Sequence, residues 1–125
     1  MKKKAGIIFM GTPQFAVPAL KALHKNNQDI VLVVTQPDRP KGRGRKLTPS
    51  PVKETAVNLG YSIVQPPSVR TAEFSNCIEK HAPDFIVVVA FGQIIPKNIL
   101  AIPKIATINI HASLLPKYRG AAPIQ

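Results

Sequence analysis

Short apolar runs recur along the chain at wide spacing: Gly6–Met10, Ile30–Val34, Phe85–Ala90 and Thr107–His111, with a weaker one at Ser62–Gln65. They are rich in Val, Ile and Phe and mostly unbroken by polar residues. That composition suits strands buried on both faces, as in a parallel sheet covered by helices. Helical spacing fills the gaps. Val17–Lys25 sets Val17, Ala19, Leu20 and Leu23 on one side, with Pro13 and Pro18 near its start. Pro51–Leu59 has Ser50 as an N-cap and Gly60 as a stop. Thr71–His81 has Thr71 as its cap, Phe74, Cys77 and Ile78 on one face, and Pro83 beyond its end. Strand alternating with helix predicts a doubly wound α/β fold with a mostly parallel sheet and flanking helices. Two long stretches lack either period, 36–50 and 112–125, and both leave from the carboxyl ends of predicted strands. Ligands bind there in open α/β sheets.

Composition changes this picture in one respect. Of 125 residues, 45% are hydrophobic and 18% charged, as in a globular domain. The 17 Lys and Arg against 6 Asp and Glu leave a net charge of +11, which points to a polyanionic partner or an acidic membrane surface, with a merely solvated basic surface as the alternative. The excess is local. Residues 1–53 carry eleven cations against Asp29 and Asp38, a balance of +9, whereas the remainder carries six against four. A lone cysteine, Cys77, excludes an intrachain disulfide and a Cys-based metal site, and is expected to be a buried, inert thiol. Neither the short run after Lys2–Lys4 nor Phe85–Phe91 is long enough for a signal peptide or a membrane span. A soluble, cytoplasmic protein is expected, with no membrane partner and no metal.

Three segments carry candidate chemistry. The first strand ends in Met10-Gly11-Thr12-Pro13, which lacks the second glycine of a dinucleotide fingerprint, so a nicotinamide cofactor is not expected. Gly11 permits a tight strand-to-helix turn or close approach of a ligand, and its spacing favours neither. Arg39, Lys41, Arg43, Arg45 and Lys46 place five cations within eight residues. Pro40, Gly42 and Gly44 deny that segment a regular helix. It reads as a flexible basic loop that neutralises RNA phosphates and orders on binding, with a merely solvated loop as the alternative. Asn109 and His111, two apart on a strand, share a face. An amide and an imidazole together suit a reaction that builds charge on a carbonyl oxygen. Spacing alone also allows a satisfied polar pair. Leu114 and Leu115 suggest an apolar wall for a ligand beside them.

Asn109-Ile-His-Ala-Ser-Leu-Leu-Pro116, followed by Tyr118-Arg-Gly-Ala-Ala-Pro-Ile-Gln125, resembles the signature of the formyltransferase family. Phe9–Ala16, Thr35–Pro40 with Gly42–Gly44 and Leu47–Lys53, and Val87–Pro96 resemble the branch acting on methionyl-tRNA, in its opening, its tRNA-binding insertion and its folate-site strand and loop. The resemblance covers nearly the whole chain. It implies a Rossmann-like formyltransferase fold, incomplete at the C-terminus, and transfer of a formyl group from 10-formyltetrahydrofolate to the amino group of initiator methionyl-tRNA. It implies that Asn109 and His111 are catalytic. Ser113, Leu114, Leu115 and Pro116 match a folate-contacting loop, and Phe91, Gly92, Gln93, Ile94 and Ile95 match the lining of the pterin pocket. Arg39, Lys41, Arg43, Arg45 and Lys46 match the RNA-binding loop. Attack of an amine on an activated amide, through a tetrahedral oxyanion, is chemistry that Asn109 and His111 suit.

A formyltransferase acting on a sugar or purine precursor would share the Asn109 and His111 signature but have no use for the basic loop. A non-catalytic RNA-binding module would have no use for the signature. In the family a third residue, an aspartate, lies beyond the signature, and a C-terminal tRNA-binding domain follows in a monomeric full-length protein. Residues 1–125 are therefore expected to be the N-terminal part of the catalytic domain, with that C-terminal domain absent. The isolated 125-residue chain is expected to be inactive or nearly so in a formylation assay. A rate near that of a full-length relative would overturn that expectation.

Overall fold

The computed structural model describes residues 4–110. Five parallel strands form one sheet: β1 (Gly6–Gly11), β2 (Asp29–Val34), β5 (Ile63–Val64), β6 (Phe85–Val89) and β7 (Ala106–Ile110). Their order is β5-β2-β1-β6-β7, so the chain builds outward from β1 in one direction and then returns to build outward in the other. The expected α/β class and parallel sheet are both present.

Alternate strand residues divide between two apolar layers, as the two-residue period of a strand requires. Ile7, Phe9, Val33, Val87 and Val89 face α1 (Val17–Lys25) and α2 (Pro51–Leu59), meeting Leu20, Val52 and Ala56. Ile8, Met10, Leu32, Val34, Ile86 and Val88 face α3 (Ala72–Lys80) and α4 (Lys97–Leu100), meeting Phe74, Ile78 and Ile99. Each large apolar side chain so buried contributes about 1.5–3 kcal/mol. The helix ends follow their sequence signals. Ser50 accepts the Lys53 amide, Thr71 accepts the Phe74 amide, and Gly60 closes α2 at φ 86°. Cys77 is half-buried rather than buried, and lies beside an apolar cavity between β5 and α3.

A further expectation changes. The segment 36–50 is not an irregular loop. Arg39–Lys41 (β3) and Lys46–Thr48 (β4) form an antiparallel ribbon, closed by a tight turn in which the Arg45 N–H donates to the Gly42 carbonyl at 3.2 Å. The glycines that forbid a helix are the ones that close this turn, at φ 68° for Gly42 and 79° for Gly44. Each strand has only three residues, too few to show a period. The short α4 and a 3-10 turn at Gln14–Ala16 escape periodicity for the same reason. No helix among the described residues is long and apolar enough to cross a membrane.

Gly11 sits where β1, β6 and the start of α1 converge. A β-carbon there would lie 2.8 Å from the Val89 carbonyl oxygen and 2.9 Å from the Ala16 β-carbon. The close approach is between parts of the chain itself, which decides the role that spacing left open. Gly11→Ala is expected to destabilise the fold by about 1–3 kcal/mol, the usual cost of overpacking. The denaturation midpoint checks this, and an unchanged midpoint would mean that the junction yields.

Candidate functional site

The site begins where β6 ends. Ala90 takes a left-handed φ of 52°, which stops the strand one residue before its apolar run does, and Gly92 follows at φ 101°. The turn sends the Phe91 side chain into the core, while its carbonyl accepts the Thr12 hydroxyl at 2.7 Å. Beyond it, Gln93, Ile94 and Ile95 bend over the end of the sheet toward α4. On β7, Asn109 pairs in register with Val88, so both face the α3–α4 layer. Two residues earlier on that face, the Thr107 hydroxyl donates to the Leu100 carbonyl at 2.7 Å, pinning the end of α4 to β7.

Between these parts lies a cavity of about 360 Å³, walled by Val88, Ala90, Phe91, Gln93, Ile94, Ile95, Leu100, Asn109 and Ile110. It brings together Asn109 and four of the five residues expected to line a ligand pocket on this segment. Gly92 is the exception. A β-carbon there would lie 2.8 Å from the Gln36 amide nitrogen, so its contact is with a neighbouring side chain. Asn109 is exposed, and its side chain has no hydrogen-bond partner among the described residues. The walls are apolar and the side-chain polar groups are two amides, a combination suited to a flat ring with polar edges. His111, Ser113, Leu114, Leu115 and Pro116 lie outside the described residues.

A polar strap behind this cavity escaped the sequence reading. Gln36 is only 5% exposed. Its side-chain oxygen accepts from the Gln93 amide at 2.9 Å, and Gln93 in turn accepts the Val69 backbone N–H at 3.3 Å. The Gln65 amide donates to Asp38 at 2.7 Å and to the Gln36 carbonyl at 3.3 Å. Asp38 also pairs with Lys53 at 3.1 Å. The Thr35 and Ser50 hydroxyls meet at 2.7 Å. One signal was available: Thr35-Gln36 follows the apolar run Ile30–Val34 directly, and polar residues continuing a buried strand need partners.

This strap anchors both ends of the basic ribbon. All five of its cations, Arg39, Lys41, Arg43, Arg45 and Lys46, are exposed, and none has an acidic partner among the described residues. Lys41 stands directly opposite Lys46 in the register. Like charges so placed destabilise a hairpin unless an anion lies across them. The neighbouring carboxylate, Asp38, is already committed to Gln65 and Lys53.

A model of the formyl transferase family matches residues 3–125. The methionyl-tRNA formyltransferase of Pelotomaculum thermopropionicum is 58% identical over 118 residues, covering 94% of this chain and 38% of that protein. Those of Geobacter sulfurreducens and Clostridioides difficile are each 59% identical over 118 residues, covering 94% of this chain and 37% and 38% of theirs. The chain thus spans less than two fifths of the length of these relatives. Among solved structures, glycinamide ribonucleotide transformylase 1 from Geobacillus kaustophilus aligns with a TM-score of 0.60, covering 95% of this chain and 63% of that one at 20% identity. The protein of the same name from Symbiobacterium toebii aligns with a TM-score of 0.60, covering 94% and 56%, at 13% identity. These two likenesses concern the fold.

The strap is open to titration. The Gln65 hydrogen bond first, then Lys53, hold the Asp38 carboxyl below its ordinary value of 3.8, against a smaller opposing effect of desolvation. A carboxyl whose pKa is lower in the folded state adds stability that is fully present above the unfolded value. That stability is lost as pH falls through the folded value. Gln65→Ala is expected to move the Asp38 titration upward toward 3.8, read from the carboxyl carbon by NMR. An unmoved titration would remove Gln65 from the anchor.

Proposed function

Because the chain belongs to the formyl transferase family, we propose that it is the donor-binding part of a methionyl-tRNA formyltransferase, residues 1–125 being the N-terminal part of the catalytic domain. The observation that carries this reading is the meeting of Asn109 with Phe91, Gln93, Ile94 and Ile95 around one cavity, at the carboxyl end of β6 and β7. The ribbon of exposed cations leaves from the same edge of the sheet, after β2. A ligand cavity and a polyanion-binding ribbon on one edge suit a reaction between a small donor and an RNA-borne amine.

In this reading the donor is 10-formyltetrahydrofolate, and the cavity receives its ring system. Ile94, Ile95 and Leu100 cover the ring faces, and the Gln93 and Asn109 amides meet its polar edges. Bound there, the donor supplies an activated formyl amide. The amine of methionyl-tRNA forms a bond to the formyl carbon and gives up a proton. The carbon's bond to the folate nitrogen breaks, and that nitrogen keeps the electron pair and takes a proton. As negative charge builds on the formyl oxygen, the Asn109 amide donates a hydrogen bond to it, and His111 donates a second or carries the proton. Ser113, Leu114, Leu115 and Pro116 complete the folate contact. Arg39, Lys41, Arg43, Arg45 and Lys46 hold phosphates of the initiator tRNA, which orients the amine. No metal enters this scheme, and neither does a membrane.

Titration of the 125-residue chain with a reduced folate, followed by amide NMR, tests the site. Shifts are expected at residues 88–95 and at 109–110, and Asn109→Ala is expected to weaken binding by up to about tenfold, the worth of one hydrogen bond. Shifts confined to the cavity between β5 and α3 would place the ligand elsewhere and defeat the proposal.

A further inference from the structure

A second cavity of about 360 Å³ lies at the foot of the ribbon, on the other side of the strap from Asn109. Its volume falls in the range of small-ligand pockets, ~300–1,000 Å³. The proline rings of Pro13, Pro37, Pro40, Pro49 and Pro51 supply much of its wall. Proline has no backbone N–H, so such a wall offers C–H faces and few donors. Arg39 and Lys41 stand at its rim on β3, both exposed. They lie on one face of that strand, two residues apart.

The start of α2 also borders this cavity, but it is not an anion site. The Val52 N–H donates to the Thr12 carbonyl at 3.3 Å, the Lys53 N–H to the Ser50 hydroxyl at 3.0 Å, and the Glu54 N–H to the Ser50 carbonyl at 3.1 Å. A negative charge entering here must therefore sit on Arg39 and Lys41, while the slot takes something flat and apolar on its faces.

We infer that this proline-walled slot binds one unpaired nucleotide of the RNA, its base seated among the proline rings and its phosphate held by Arg39 and Lys41. A base within a duplex is stacked on both sides and cannot enter a concave slot, whereas an unpaired one can be splayed into it. Arg39 adds a guanidinium plane on which a base stacks. The position gives the slot a purpose. Thr12 and Gln36 line it, and the same two side chains hold the Phe91 carbonyl and the Gln93 amide of the first cavity. A nucleotide seated in the slot is thus separated from the first cavity by one layer of side chains. The inference rests on the proposed RNA-binding role of the ribbon and adds to it the part of the RNA that is gripped and the place where it sits.

The test compares two labelled single-stranded RNA hexamers with the same phosphates, one intact and one abasic at every position, by fluorescence anisotropy on the 125-residue chain. The intact hexamer is expected to bind at least fivefold more tightly, as loss of a stacked base implies. Thr48→Phe, which fills the slot from β4, is expected to bring the intact hexamer down to the abasic one, with the salt dependence of both unchanged. Thr48→Ser keeps the slot open and is expected to keep the preference, which separates filling from damage to the ribbon. Equal binding of the two hexamers by the unaltered chain, with strong salt dependence, would overturn the nucleotide slot and leave the ribbon's polyanion role standing. A preference that survives Thr48→Phe would also overturn it. Failure to bind either hexamer would overturn both readings.

Discussion

Strand β1 pairs in parallel with β2 on one side and β6 on the other, and the ligand end of the molecule depends on that placement. Parallel pairing sends all five carboxyl ends to one edge. Building outward from β1 in both directions makes the loops after β1 and β6 diverge onto opposite layers, which opens a crevice between them. Gly11 lets the two strands and α1 converge below it, because any side chain there would strike the Val89 carbonyl. The Thr12 hydroxyl then ties the two diverging loops together through the Phe91 carbonyl. The Asn109 cavity lies on the α3–α4 side of that tie, and the proline-walled slot on the α1–α2 side.

Polar side chains, not apolar ones, hold this edge in shape. The two cores end at Met10, Val34 and Val89, and beyond them the chain must satisfy buried amides and carbonyls with side-chain partners. Gln36, Gln93, Gln65 and Asp38 do so across long sequence distances. The result joins three loops and makes the basic ribbon a projection from a fixed base. The ribbon itself keeps a local cost in Lys41 facing Lys46. Under the proposed RNA-binding role, phosphates laid across Lys41 and Lys46 would offset that cost.

The residue pattern alone determined a large part of this protein. Buried strands announced themselves as apolar runs, and Ser50, Gly60 and Thr71 marked helix ends because capping is chemistry between near neighbours. The concentration of cations at 39–46 and the Asn109 signature were equally legible, since both are written in consecutive residues. Tertiary structure decided the rest. It set the order of the strands, which brings Phe91, Ile94 and Ile95 to Asn109. It turned an apparent loop into a ribbon, and it joined Gln36 to Gln93 and Gln65 to Asp38. Those partners lie 57 and 27 residues apart. Periodicity reports which side of one element is buried. It carries no information about which distant segment lies opposite, because that is settled only when parallel pairing and crossover chirality place the strands beside one another.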